Sequence, residues 1–211
     1  MDRAAAGVVS PMLEDAPHEV RVRAPLVLAS ASPRRLQLLA QIGVTPDRVV
    51  ATDIDETSRR DEVPRLYAER MAREKAQAAA SPGSFVLAAD TVVAVGRRVL
   101  PKASSESQAR ACLALLSGRR HHVLTAVLLV TPEGARSERV CDSSVIFNRL
   151  TDAQVAAYLA GGEWEGKAGG YAIQGSAAGF VRFLSGSYSG VVGLPLFETA
   201  QLLRGRGYLT P

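Results

Sequence analysis

Apolar and polar positions along this chain follow two periods in turn. Residues 24–30 (APLVLAS) form an apolar run of strand length, and the next segment, SASPRRLQLLAQIGV, changes to helical spacing. Ser32 is expected as the N-cap, with Pro33 at the first helical position, where its missing N–H costs nothing. Leu36, Leu39 and Ile42, with Leu38 beside them, make the apolar face, and Gly43 ends the helix. Arg34 and Arg35 therefore fall in its first turn, directly after a strand.

The alternation continues. Residues 48–52 (RVVAT) read as a second strand, followed by the acidic run DIDE. A helix is expected from about Arg65 to Ala80, with Leu66, Ala72, Ala76 and Ala79 among its less polar positions, and SPGS breaks it. FVLAADTVVAV (85–95) is an apolar strand interrupted only by Asp90 and Thr91, and RVL returns after a Gly96-Arg97 turn. A helix over roughly 104–117 precedes two strands, HHVLTAVLLV and ERVCDSSVIF, joined by a hairpin connection. Thr151 and Asp152 open a helix that ends at Gly161-Gly162. Residues 161–195 are glycine-rich, as expected where backbone turns tightly or approaches a ligand. A last helix covers roughly 194–204. Strands and helices interleave, so the pattern predicts an α/β fold with a mixed sheet.

Composition narrows the classes. With 47% hydrophobic and 22% charged residues, the 211-residue chain is neither disordered nor fibrous and can bury one real core. The net charge of +4 is spread along the chain rather than gathered in a stripe, and aromatics are only 5%. That argues against a nucleic-acid partner and suits an anionic small molecule. Cys112 and Cys141 belong to no CxxC or Cys/His cluster, so they are expected as reduced, buried side chains. No apolar run nears the ~20 residues of a membrane helix. Residues 1–24 carry Asp2, Glu14, Asp15 and Glu19 and no continuous apolar stretch. They are expected to be a mobile extension rather than a signal peptide, ahead of one domain over 25–211, and the cytoplasm is the default location.

A few residues stand out chemically. Asp90 lies inside an apolar strand, where an unpaired carboxylate is expensive. It is either a structural acid bonded to backbone amides or a metal ligand or general base. Asp53, Asp55 and Glu56 are either a solvated turn or, with Asp90, carboxylates for a Mg²⁺ ion on a phosphate. Arg34 and Arg35 at a helix N-terminus suit an anion, unless they are ordinary surface charges. Lys75, Lys102 and Lys167 are the chain's only lysines among 25 cations, which singles them out as compact point charges. Thr91 and Gln174, set among apolar neighbours, are candidates for reading a base edge. Trp164 is expected to pack against its loop rather than stack on substrate. No GxSxG elbow or Ser-His-Asp set is present.

Taken in order, LASASPRRLQLLAQIGV, DIDE, AREKA, AADTVV, VLPK, LSGRRHHVLTAV, GKAGGYAIQG and FVRFLSGSYSGVVGLPL resemble the Maf family of nucleotide pyrophosphatases over about residues 25–205. The resemblance implies an α/β structure of the Maf/ITPase-like kind: an elongated mixed sheet flanked by helices, with a central cleft between two lobes. It implies hydrolysis of a nucleoside triphosphate to the monophosphate and pyrophosphate with a divalent cation, Mg²⁺ or Mn²⁺. It makes Asp90 the proton acceptor and, with Glu56, the metal partner. Glu56, Lys75 and Lys102 match the other catalytic charges, and Ser30, Arg34 and Arg35 match the phosphate-binding turn. Arg34, Thr91 and Gln174 match the branch acting on dTTP and UTP, which would clear unwanted pyrimidine nucleotides. A homodimer is also implied.

Two positions depart from the family pattern. Lys-Pro is Lys102-Ala103, preceded by Pro101, which bears on how Lys102 is aimed. Gly-Glu-Pro is Gly162-Glu163-Trp164, which puts a ring in a loop expected near the site. Two alternatives stand beside the pyrimidine reading. One is the related branch that prefers 7-methyl-GTP, with a Glu near the Gln174 position. The other is a nucleotide-binding interaction protein connected with septum formation.

Overall fold

A computed structural model describes residues 23–209. The extension expected over 1–24 lies outside the described residues except for its last two positions. There the Arg23 guanidinium sits 4.0 Å above the Tyr208 ring and joins the two ends of the described chain.

Seven strands form one mixed sheet. They are β1 (Leu26–Ala29), β2 (Arg48–Val50), β3 (Phe85–Val95), β4 (Arg98–Leu100), β5 (Arg120–Val130), β6 (Arg136–Phe147) and β7 (Val181–Ser185). The order is β2-β1-β3-β5-β6-β7, with β4 also on β3. β1 is parallel to β2 and β3, and the other pairings are antiparallel. The helices are α1 (Pro33–Gln41), α2 (Pro64–Ala78), α3 (Glu106–Leu116), α4 (Asp152–Ala160), α5 (Tyr188–Val192) and α6 (Leu196–Gly205).

One detail of register positions the site. β3 carries β1 on one edge from Phe85 to Ala88, then β4 on the same edge from Val93 to Val95. Residues 89–92 between them have no strand on that side. β1 has by then turned off into α1, so the sheet opens beside Asp90 and Thr91. Crevices at the carboxyl ends of parallel strands, where neighbours diverge, are where α/β sheets take ligands.

Side-chain alternation along β3 builds a core on each face. Leu87, Ala89 and Val93 pack with Leu38, Leu39, Leu113, Leu116 and Phe147. Val86, Ala88 and Val92 pack instead on Ala68, Ala72, Ala76 and Ala79 of α2 and its C-terminal end. That alanine stripe lets α2 approach the sheet closely.

Several expectations change here. Leu36 is 40% and Leu66 54% exposed, while Arg35, next to Leu36, is buried. Ser32 occupies the N-cap position, but its side chain makes no capping bond. The glycine-rich segment holds a 3₁₀ turn (Ser176–Phe180), β7 and α5, none of which its composition announced. Both cysteines are free and buried, as expected. Among the described residues no helix is long and apolar enough to cross a membrane.

Candidate active site

Asp90 is buried at the opening of the sheet, and its Oδ1 accepts a 2.5 Å hydrogen bond from Lys75 Nζ. Lys75 lies on the α2 stripe that faces the sheet and is itself buried. Its ammonium also reaches Glu56 Oε1 at 2.9 Å. Glu56 in turn accepts from Lys102 through Oε2. Two acids and two lysines thus alternate: Asp90, Lys75, Glu56, Lys102. Burial opposes ionisation of Glu56, but the bonds from Lys102 and Lys75 outweigh it and hold its carboxyl below the usual range. Burial, with Asp90 and Glu56 nearby, pushes the Tyr67 hydroxyl up to about 12, so it stays protonated and donates to the Glu56 carbonyl at 2.6 Å.

Of the acidic run, Glu56 alone joins this chain. Asp53 is exposed, and Asp55 turns back to accept from the Thr57 amide at 2.9 Å. The loop that carries Glu56 is fixed by Arg70, which donates to both oxygens of Glu62 and to the Thr57 carbonyl.

Arg35 points inward. Its Nε donates to the Gly193 carbonyl at 2.8 Å, and its two terminal nitrogens donate to Ser30 Oγ at 3.1 Å and Thr91 Oγ1 at 3.4 Å. Burial lowers its pKa, with Asp90 acting in the opposite sense. Gly193 takes this place at φ +142°, a conformation side chains disfavour. Thr91 is also hydrogen-bonded to Thr125 at 3.0 Å. Its hydroxyl therefore belongs to the frame around Arg35, and Thr91 also lines the cleft.

Arg34 behaves differently. It lines the cleft, and no acid pairs with it among the described residues. Lys167 lines the same cleft, its Nζ donating, among the described residues, only to the Glu165 carbonyl at 2.8 Å. Burial and then the Arg34 charge lower the Lys167 pKa. Sequence reasoning noticed this lysine but gave it no place in the site. The surplus positive charge beside Arg34 is a tertiary fact.

Lys102 is aimed by backbone pairing. It bridges Ala168, the Ala103 amide donates to the Lys167 carbonyl at 3.1 Å, and Gly166 and Gly169 donate back to Ala103 and Pro101. A proline at 103 could not donate, so the alanine adds a bond to this clamp. Gly169 makes the contact possible: at φ +66°, a Cβ would lie 2.8 Å from Val93 Cγ1.

Gln174 is exposed at the cleft rim rather than enclosed by apolar neighbours, and its amide makes no hydrogen bond within the described residues. Trp164 is in the core, donating from Nε1 to the Leu159 carbonyl at 2.9 Å. It packs as expected and does not line the cleft.

The donor set for a metal is small. Asp90 Oδ1 and Glu56 Oε1 share one ammonium, so they lie no more than about 5.4 Å apart, the two bonds laid end to end. Among the described residues no third acid, histidine or cysteine joins them. Two carboxylates completed by substrate phosphates suit Mg²⁺, which usually keeps water and phosphate ligands. The residues present fit such an ion.

Three curated relatives are called dTTP/UTP pyrophosphatase. The Granulibacter bethesdensis protein is 60% identical over 210 residues, covering 91% of this chain and 98% of the relative. That of Rhodospirillum rubrum is 62% identical over 192 residues, covering 90% and 91%. That of Caulobacter vibrioides is 62% identical over 185 residues, covering 87% and 96%. The model of the Maf-like proteins matches residues 25–206, and with these identities it places the chain in that family.

Proposed function

We propose that this protein hydrolyses dTTP and UTP to the nucleoside monophosphate and pyrophosphate. The observation that carries the reading is the position of Asp90. It stands at the opening of the sheet, held by Lys75, in a cleft that Arg34, Lys167 and Gln174 also line. The names of the relatives agree with it.

In this reading the triphosphate lies along Arg34, Lys167, Lys102 and the N-terminus of α1, where fixed positive charge offsets the charge of the phosphates. Arg35 is spent on internal bonds and shapes the turn from within. Asp90 Oδ2, to which the described residues make no hydrogen bond, takes a proton from the water that attacks the α-phosphorus. The P–O bond to the β-phosphate breaks, and pyrophosphate leaves with that oxygen. Lys75 bridges Asp90 and Glu56 and holds the two carboxyl groups side by side. Asp90 and Glu56 would hold a divalent cation, which when bound supplies charge neutralisation on the phosphate oxygens.

Gln174 meets the base. An amide donates and accepts at once, which suits a uracil or thymine edge; a glutamate only accepts. The test is a product assay with Mg²⁺ or Mn²⁺ on dTTP, UTP, CTP, GTP and 7-methyl-GTP. Monophosphate and pyrophosphate chiefly from dTTP and UTP are expected. Turnover of 7-methyl-GTP alone would overturn the base assignment, and no turnover of any nucleotide would overturn the activity.

A further inference from the structure

Gln174 sits in a tight turn closed by the Gly175 amide donating to the Ala172 carbonyl at 3.0 Å. Both flanks of this turn are pinned by α4 and the loop after it. On the entry side the Ala172 amide donates to Tyr158 Oη at 3.1 Å. On the exit side Glu163 receives two groups of Ser176: the amide at 2.9 Å on Oε2 and the hydroxyl at 2.8 Å on Oε1. The Glu163 carboxylate fills the space beside Gly175 so closely that a Cβ there would come within 1.6 Å of Oε2. Glu163 is not among the residues lining the cleft.

We propose that Glu163 is a positioning residue for base selection, holding the turn so that the Gln174 amide faces the base in one orientation. This rests on the reading of Gln174 given above. The physical reason lies in the amide itself. Cytosine presents a donor where uracil and thymine present the O4 acceptor. A glutamine fixed in one orientation separates these patterns, while one free to rotate by half a turn serves both. Selectivity therefore needs Gln174 to reach the base from one backbone position, and the two charge-assisted hydrogen bonds from Ser176 to Glu163 hold that position.

The test compares Glu163→Ala, Gly175→Ala and Gln174→Ala with the wild type, using kcat and KM for UTP and CTP with Mg²⁺, together with melting temperature. Gly175→Ala displaces the carboxylate by crowding a flexible side-chain end, so it reports the same loss without removing the acid. Glu163→Ala and Gly175→Ala are each expected to reduce the UTP-over-CTP ratio of kcat/KM about tenfold, mainly through KM for UTP, with kcat within about twofold. Glu163→Gln, which keeps one acceptor for Ser176, should fall between. Equal losses on both nucleotides, or a lowered melting temperature with an unchanged ratio, would make Glu163 merely structural. If Gln174→Ala shifts the ratio while the other variants do not, the clamp fails alone. If Gln174→Ala also leaves it unchanged, the base-reading assignment fails with it. Should Glu163→Ala not fold, Gly175→Ala and Glu163→Gln decide.

Discussion

Lys75 and Asp90 form a buried ion pair, Nζ to Oδ1 at 2.5 Å, across the packing of α2 on β3. Neither residue would be tolerated there alone, because an isolated charge in a core carries a large desolvation cost. The same ammonium also reaches Glu56 at 2.9 Å, so one lysine holds two acids close together.

Asp90→Asn keeps the side-chain shape and its bond to Lys75 but removes the proton acceptor. Turnover of UTP should fall by about 10³-fold, within the range for losing a general base. Melting temperature should fall far less by comparison, because Lys75 keeps its ion pair with Glu56. Kinetics and thermal unfolding on one preparation check this, and a large stability loss matched by a small activity loss would return Asp90 to a structural role.

Lys102→Met should alter the pH dependence. Glu56 is held below the usual carboxylate range by Lys102 and Lys75 against its burial, so its charged form survives into acid. Removing Lys102 lets the carboxyl rise, so protonation begins at a higher pH. The acid limb of the kcat/KM profile should move upward in pH. An acid limb that stays in place would separate Glu56 from the rate.

Lys167→Ala tests whether the cation beside Arg34 holds phosphate. The expected result is a KM for UTP raised about tenfold with kcat largely kept, the cost of one charge-assisted contact. The difference from wild type should shrink as salt is added. A salt-independent effect would point to packing instead.

Gln174→Glu should weaken UTP and dTTP hydrolysis and relax preference toward guanine nucleotides, whose edge offers donors to a carboxylate. An unchanged substrate profile over the same nucleotides would remove Gln174 from base recognition.

His121 sets a stability prediction. It is buried with Nε2 2.9 Å from Tyr171 Oη, and burial lowers its pKa to about 4. The unfolded chain, with an ordinary histidine near 6.5, takes up a proton first on acidification. Stability should therefore be full above about pH 6.5 and fall between there and about 4, by about 3 kcal/mol if the ring stays buried. Denaturant unfolding at several pH values measures the slope, and His121→Gln should flatten it.

The one-dimensional pattern determined most of the elements. β3 was legible to the residue because eleven positions run between two turns, and α4 because Thr151 and Asp152 open it and Gly161-Gly162 end it; the structure adds a capping box between Thr151 and Gln154. Asp90 was visible as a charge in the wrong company. The ordered motifs carried the family. Local signals such as these are set by covalent geometry and by water's exclusion of apolar side chains, and both act along the chain itself.

Tertiary structure decided the rest. Leu36 and Arg35 are neighbours on α1, and helical spacing favoured burying the leucine. The Ser30 hydroxyl in the turn just before the helix, with Thr91 and Gly193 from two distant segments, made burying the arginine favourable instead. Lys75 looked like a surface charge until α2 packed its alanine stripe onto β3 and brought it to Asp90. By charge pattern alone Asp53, Asp55 and Glu56 were equal candidates; the family resemblance favoured Glu56, and the fold brings it within reach of Lys75 and Lys102. The sheet opening beside Asp90 follows from where β1 ends and β4 begins. Each of these outcomes depends on partners far apart in the chain, whose combined contacts outweigh the preference of any single segment.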